Sequence, residues 1–171
     1  MQKILVVVDM QNDFIDGALG SAEAKEIVPY VVERVKSFDG RVIFTRDTHE
    51  NDYLQTQEGT KLPVPHCIRD TQGWEICPEL LPYAYEIIDK PTFGSVALAD
   101  LLANLDKENK IDEIELLGLC TDICVISNAM LLKARLLDAE IVVDSRGCAG
   151  VTRQSHQNAL EAMKMCQITI K

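Results

Sequence analysis

The stretch Ile114-Glu115-Leu116-Leu117-Gly118-Leu119-Cys120-Thr121-Asp122-Ile123-Cys124 decides the fold, because an apolar run passes through a short polar turn into a helical pattern beginning at Val125. Read as a buried strand feeding a helix, it is one step of a parallel α/β sheet. Cys124 then sits where the helix offers free N–H groups and the positive end of its dipole. Both favour thiolate over thiol, so a lowered thiol pKa is expected. Two other reactive side chains end predicted strands in the same way. Asp9 closes Ile4-Leu5-Val6-Val7-Val8, and Lys90 closes Tyr85-Glu86-Ile87-Ile88-Asp89. The carboxyl ends of parallel strands share one rim, where ligands bind. An acid, a base and a thiol on that rim make a nucleophilic site.

Working outward, Val42-Ile43-Phe44 reads as a strand after the turn signal Asp39-Gly40, and further strands are predicted over 140–143 and 168–170. Ile27, Val28, Val31, Val32 and Val35 recur at helical spacing, and helices are predicted over 97–105, 123–137 and 152–164. This alternation predicts one domain over residues 1–171, a three-layer α/β/α sandwich around a mostly parallel six-stranded sheet. The segment from Asp47 to Leu81 breaks the rhythm with Pro63, Pro65 and Pro78. A loop that long inside a compact fold points to function.

Composition narrows the function classes. The 171 residues are 47% hydrophobic, enough for a sizeable core, and the formal charge of −10 argues against nucleic acid or an anionic membrane as partner. Met1-Gln2-Lys3 leads into a short apolar run, too brief for a signal segment or a membrane span, so a cytoplasmic location is expected. The six cysteines are then expected to be reduced, and the isolated C-x3-C spacing of Cys120 and Cys124 does not support a zinc ribbon.

Each candidate has a plainer reading. A cysteine after a strand commonly packs, an aspartate at a strand end commonly caps a turn, and a lysine there is commonly solvated. Shared placement on one rim is what favours chemistry for Asp9, Lys90 and Cys124. In the long loop, Asp47-Thr48-His49 puts an acid and an imidazole two residues apart, on the same side of an extended chain. His66, in Pro63-Val64-Pro65-His66, can arrive from the far end as a third ligand, and Glu58 is a candidate fourth, directly or through water. Such donors suit zinc, iron or manganese, and three protein ligands with open positions mark a working metal. His156, inside a helical pattern, is expected on the surface. Trp74 is expected either in the pocket wall or in the core.

These residues resemble a known family. Val7-Val8-Asp9-Met10-Gln11-Asn12-Asp13-Phe14 resembles the opening motif of the isochorismatase-like cysteine hydrolases, most closely the nicotinamidases. The likeness continues through Thr45-Arg46-Asp47-Thr48-His49, Pro63-Val64-Pro65-His66-Cys67, Asp89-Lys90-Pro91-Thr92-Phe93, Gly118-Leu119-Cys120-Thr121-Asp122-Ile123-Cys124-Val125 and Val143-Asp144-Ser145-Arg146-Gly147-Cys148-Ala149. The resemblance implies a catalytic triad of Asp9, Lys90 and Cys124, and metal ligation by Asp47, His49 and His66. It also implies a cis bond between Leu119 and Cys120, with the backbone N–H groups of Cys120 and Cys124 as oxyanion hole. The implied reaction is hydrolysis of a small amide, nicotinamide to nicotinate and ammonia, through a Cys124 thioester with a divalent ion as cofactor. The chain departs from the pattern at Pro63, where many nicotinamidases have a ring-stacking aromatic, which leaves Phe14 and Phe93 as candidate pocket aromatics. The expected partners are the small amide and further copies of the chain. Two alternatives stand beside this reading: a hydrolase of ureido or carbamoyl amides that needs no metal, and a ligand-binding member without turnover.

Overall fold

The computed structural model describes residues 2–171. β1 (Gln2–Val8) leads through the short α1 (Asn12–Ile15) to α2 (Ala22–Ser37) and β2 (Arg41–Asp47). The long segment that follows carries a 3₁₀ turn, Tyr53–Gln55, and the short α3 (Gln57–Lys61) before β3 (Ile87–Lys90). The chain continues through α4 (Val96–Glu108), β4 (Ile111–Leu119), α5 (Ile126–Arg135), β5 (Glu140–Ala149), α6 (Arg153–Met165) and β6 (Thr169–Ile170). The strands form one six-stranded sheet in the order β3-β2-β1-β4-β5-β6, and every pairing is parallel. From β1 the chain steps one way to β2, whereas β3 to β4, β4 to β5 and β5 to β6 step the other way. Right-handed crossovers therefore put α2 on one face and α4, α5 and α6 on the other. The packing of α2 on β4 and β5, and of α5 against both α4 and α6, agrees.

The central strands are largely apolar because both faces are covered: Ile4 to Val8 are fully buried, as are Ile114, Leu116 and Leu117, and the one fully buried charge in β1 and β4 is Glu115. Three of the longer helices, α2, α4 and α6, start on side-chain caps. Ser21 accepts from the Ala24 N–H (3.0 Å), Ser95 from Leu98 (3.1 Å) and Thr152 from Ser155 (3.0 Å). The strand order reverses between β1 and β4, so the connections leave in opposite directions and open a crevice at their carboxyl ends. Gly118 makes the close fit there possible. It has φ +121°, and a Cβ at that position would lie 2.1 Å from the Val8 carbonyl oxygen.

The structure shifts several sequence-predicted boundaries. β3 starts at Ile87, because Glu86 pairs with Arg41 and Tyr85 is 92% exposed. β5 runs on to Ala149 past Asp144-Ser145-Arg146-Gly147, polar residues that read as an exit. The buried Asp144 carboxylate accepts from the Tyr30 hydroxyl (2.6 Å) and from Arg146, and the strand resumes pairing at Gly118–Cys148 after a register shift. Most consequential for the site, the segment from Thr121 to Val125 is a π-helical turn, and α5 begins only at Ile126. The six cysteines are all unpaired. Among the described residues no helix is long and apolar enough to cross a membrane.

Two stability predictions follow from this frame. Gly118→Ala should cost at least about 3 kcal/mol by urea unfolding, since both the conformation and the contact exclude a side chain. Glu115 is fully buried in β4, yet Arg34 holds it by two hydrogen bonds of 2.7 and 2.6 Å and Lys171 by a third. Burial alone would raise its pKa; these cations outweigh it and hold the carboxyl below the ordinary 4.5. A lowered native pKa stabilises above the unfolded value and is lost as pH falls through the native one. Unfolding free energy should therefore drop as pH falls below about 4.5. Glu115→Gln should flatten that limb, which urea titrations at pH 3 to 6 would test.

Candidate active site

Asp9, directly after β1, has φ 47°, a left-handed conformation that turns its carboxyl back over the crevice. Thr45 on β2 fixes it: its hydroxyl donates to Asp9 Oδ1 at 2.7 Å, and its carbonyl accepts the Asp9 N–H at 3.2 Å. Lys90 ends β3, two strands away, and its side chain runs inward to full burial. Its Nζ lies 2.7 Å from Asp9 Oδ2, 3.4 Å from Asp47 Oδ1 and 3.5 Å from Cys124 Sγ, and donates to the Thr92 carbonyl at 3.1 Å. Cys124 sits in the π-helical turn after β4, and the bond from Leu119 to Cys120 is cis. Asn128, one turn on, donates to the Cys124 carbonyl (2.8 Å) and accepts from the Ser95 N–H (2.9 Å), tying the turn to α4.

The charges of this group follow from burial and from one another. Burial disfavours the Lys90 ammonium, but Asp9, Cys124 and Asp47 outweigh it and raise its pKa, so the lysine stays protonated. Burial pushes the Asp9 carboxyl up, Lys90 opposes this and Asp47 adds to it, leaving a raised pKa. For Cys124, burial and then Asp9 push the thiol well above its ordinary value against the pull of Lys90. This corrects the expectation of a lowered thiol pKa. Cys124 is buried inside a π turn rather than placed at an α-helix cap, so desolvation dominates the dipole. The resting group is a thiol beside a carboxyl of raised proton affinity.

A second cluster faces the first. One donor atom each from Asp47, His49, Glu58 and His66 lies within 4.8 Å of the others. His49 Nε2 is 3.0 Å from Asp47 Oδ2 and 3.5 Å from Glu58 Oε1; His66 Nε2 is 3.7 and 3.8 Å from the same two oxygens. His66 Nδ1 donates to the Val64 carbonyl at 2.8 Å, so Nε2 carries the free lone pair, as a metal-ligating histidine requires. His49 Nε2 is buried, and its 3.0 Å approach to Asp47 Oδ2 is not aligned as a hydrogen bond, so it has no partner other than the cluster itself. Two imidazoles and two carboxylates converging on one point form a donor set that fits a divalent transition ion. Asp47 belongs to both clusters, presenting Oδ1 to Lys90 and Oδ2 to the histidines.

Between the clusters lies a cavity of about 500 Å³ lined by Phe14, Leu62, Phe93, Ile123, Cys120 and Cys124, with the four converging donors on its wall. That is ample room for a small-molecule substrate. Phe14 lies 5.6 Å from the His66 ring, and Phe93, 44% exposed, forms the lip. Leu62, not Pro63, supplies the wall beside the donor cluster. A larger surface groove of about 900 Å³, between α2 and the segment around Pro78, holds neither Cys124 nor a convergent donor set.

The structure also supplies residues that sequence reading missed. Gln11 is fully buried; its amide donates to the carbonyls of Asp47 (2.8 Å) and Trp74 (2.9 Å) and accepts from the Asp47 N–H (2.7 Å). It thereby ties the β1 rim to β2 and the long loop. Tyr53 packs at 4.7 and 5.0 Å from the rings of His49 and His66 and donates to the Leu62 carbonyl. Trp74 belongs to the core, stacked under Arg46 at 3.3 Å and donating to Thr48. His156 is not on the open surface as expected: it is partly buried, 2.7 Å from the Thr121 hydroxyl.

Sheet order and site together define a class of α/β hydrolytic proteins, and a family model described as the isochorismatase domain matches residues 3–171. The chain belongs to the isochorismatase family. It is 30% identical over 170 residues to the nicotinamidase of Acinetobacter baylyi, covering 82% of this chain and 79% of that protein. Among solved structures, the nicotinamidase/pyrazinamidase PncA of Bacillus subtilis matches with TM-score 0.84 and 29% identity over 99% of both chains. The pyrazinamidase of Pyrococcus horikoshii, in complex with zinc, matches with TM-score 0.81 and 27% identity, covering 100% of this chain and 99% of that one.

The donor cluster predicts metal content. After exposure to a divalent transition ion and gel filtration, the protein should retain about one equivalent by mass spectrometry. His49→Ala and Asp47→Asn should each lower retention at least about tenfold. Retention unchanged in both variants would place any bound ion elsewhere.

Proposed function

We propose that this chain is a metal-assisted cysteine amidohydrolase that converts nicotinamide, or a close small amide, to the acid and ammonia. The observation that carries the proposal is the placement of Lys90 Nζ within reach of Asp9, Asp47 and Cys124 beneath a cavity whose opposite wall is the histidine–carboxylate cluster. The family relationship to proteins named nicotinamidase supports the substrate class.

In this reading the amide carbonyl carbon lies over Cys124 Sγ. As sulfur attacks, Asp9 accepts the thiol proton, which its raised proton affinity favours. The carbonyl oxygen takes up negative charge and meets the backbone N–H groups of Cys120 and Cys124. The C–N bond then breaks, and Asp9 returns its proton to the departing nitrogen, releasing ammonia and leaving a thioester. Asp9 next takes a proton from the attacking water. The carbon–sulfur bond breaks, the acid leaves and Cys124 regains its proton. Lys90 stays cationic throughout and offsets the charge that passes between Asp9 and the sulfur. Asp47, His49 and His66, with Glu58 as a fourth donor, would hold the ion. Zinc, manganese and iron are the ions these donors suit, and a bound ion supplies a Lewis-acidic contact that orients the substrate. Phe14 and Phe93 flank the ring.

Ammonia release from a panel of small amides, nicotinamide first and a carbamoyl compound included, tests the reading. Cys124→Ala should abolish turnover. Asp9→Asn and Lys90→Met should each lower kcat by about a thousandfold, and the double variant should be scarcely worse than either, because cooperating groups are not additive. Losses that multiply, or full activity without the thiol, would remove these residues from the chemistry. Turnover confined to carbamoyl compounds would reassign the substrate.

A further inference from the structure

The turn that carries Cys124 has a support that none of the proposed steps uses. Thr121, its first residue, is fully buried, and its hydroxyl is paired with Nδ1 of His156 on α6 at 2.7 Å. The helix that carries the histidine is firmly placed: Thr152 and Ser155 cap its start reciprocally, and Ala159, Leu160 and Met163 bury its inner face. Gly150 packs so closely on it that a Cβ there would lie 2.8 Å from His156 Cβ. A second tie runs in parallel, since Asp122 accepts the Val151 N–H at 3.1 Å. The junction between β5 and α6 thus grips the turn from its outer side. His156 does not line the cavity over Cys124. It borders a separate recess of about 210 Å³ with Glu23, Glu26, Cys148 and Arg153.

We propose that His156 is a positioning residue for the nucleophile turn: by holding the Thr121 hydroxyl, it fixes the backbone from Cys120 to Cys124 and so sets the sulfur and the two flanking N–H groups against the reacting carbonyl. The inference rests on the reading of Cys124 as nucleophile. Loss of the contact moves Sγ relative to Lys90 and shifts the Cys120 and Cys124 N–H groups with it, because all three lie on one short segment. Most of the cavity wall, from Phe14, Leu62 and Phe93 to the donor cluster, belongs to other elements and stays in place; the turn itself contributes only Cys120, Ile123 and Cys124. The cost therefore falls on the chemical step rather than on binding.

The test compares His156→Leu, His156→Asn, Thr121→Val and the His156→Leu/Thr121→Val pair. His156→Asn keeps a polar atom near the place of Nδ1. With nicotinamide, His156→Leu and Thr121→Val should each lower kcat about ten- to a hundredfold, the loss expected from an ångström-scale misplacement, with KM changed less than about twofold. His156→Asn should restore most of kcat, and the double variant should be no slower than the worse single one. Hydrogen exchange of the 119–126 peptide should be faster in His156→Leu and near wild type in His156→Asn. A folded His156→Leu protein with unchanged kcat would overturn the proposal. So would losses that appear in KM, or that multiply in the double variant. Unchanged exchange in His156→Leu would overturn it even if the wild-type protein did not hydrolyse nicotinamide, a result that would separately overturn the proposed activity.

Discussion

The buried ammonium of Lys90 is the constraint to which the rest of the structure answers. A cation at 1% exposure is strongly unfavourable unless opposed by charge, and removing a partner from such a group leaves it uncompensated. Asp9 and Asp47 supply that opposition from the ends of β1 and β2, so three neighbouring strands must finish at matching heights. The register delivers this: Asp47 lies opposite Lys90, and Thr45, which holds Asp9, lies opposite Val8. Gly118, opposite Val8 on the other side, lets β4 approach closely enough to bring the cysteine turn over the same point. The ionic group and the sheet register specify each other.

Much of this was legible in the chain because it depends on short-range pattern. The unbroken apolar run of β1, and that of β4 from Ile114 to Leu119, interrupted only by Glu115 and Gly118, announce strands covered on both faces, and residues just past parallel strands share a rim by topology alone. Asp9, Lys90 and Cys124 could be placed together on that ground. The boundaries that were missed depend on long-range partners. β5 continues through Asp144 because Tyr30, far away on α2, satisfies its carboxylate. The thiol's surroundings were misjudged for a related reason. A helix start could be read from the sequence, but not the π turn that buries the sulfur or the carboxyl that faces it. His156 carries no local sign that its ring meets Thr121. Gln11 was visible within a familiar motif, but its role as a strut between the β1 rim and the loop emerges only when both are in place.

The long segment after β2 shows how an irregular stretch becomes an ordered wall. It lacks the spacing of a helix or a strand, yet each turn of its path is tied down. Cys67 N–H donates to Asp13 (2.7 Å), Asn12 donates to the Gln72 carbonyl (2.7 Å), and His49 and Ile68 form an isolated bridge. Gly59 lies so close to Tyr53 that a Cβ would come within 2.0 Å of its carbonyl oxygen, and that approach brings Glu58 beside the two histidines. The loop's order comes from contacts to the rim that carries Asp9 and Lys90 rather than from its own periodicity.

Asp47 gives this arrangement a property that neither cluster has alone. Its two oxygens face different neighbours, Lys90 on one side and the imidazoles on the other, in surroundings too dry to screen one from the other. A change of charge at the histidine side therefore alters how strongly this carboxylate binds the lysine, and through the lysine how readily Asp9 gives up or keeps a proton. The two halves of the pocket form a single electrostatic circuit with one shared conductor. For such a circuit any cation held by the histidine side would also reset the proton affinity of Asp9, and the two could not be tuned independently by evolution or by design.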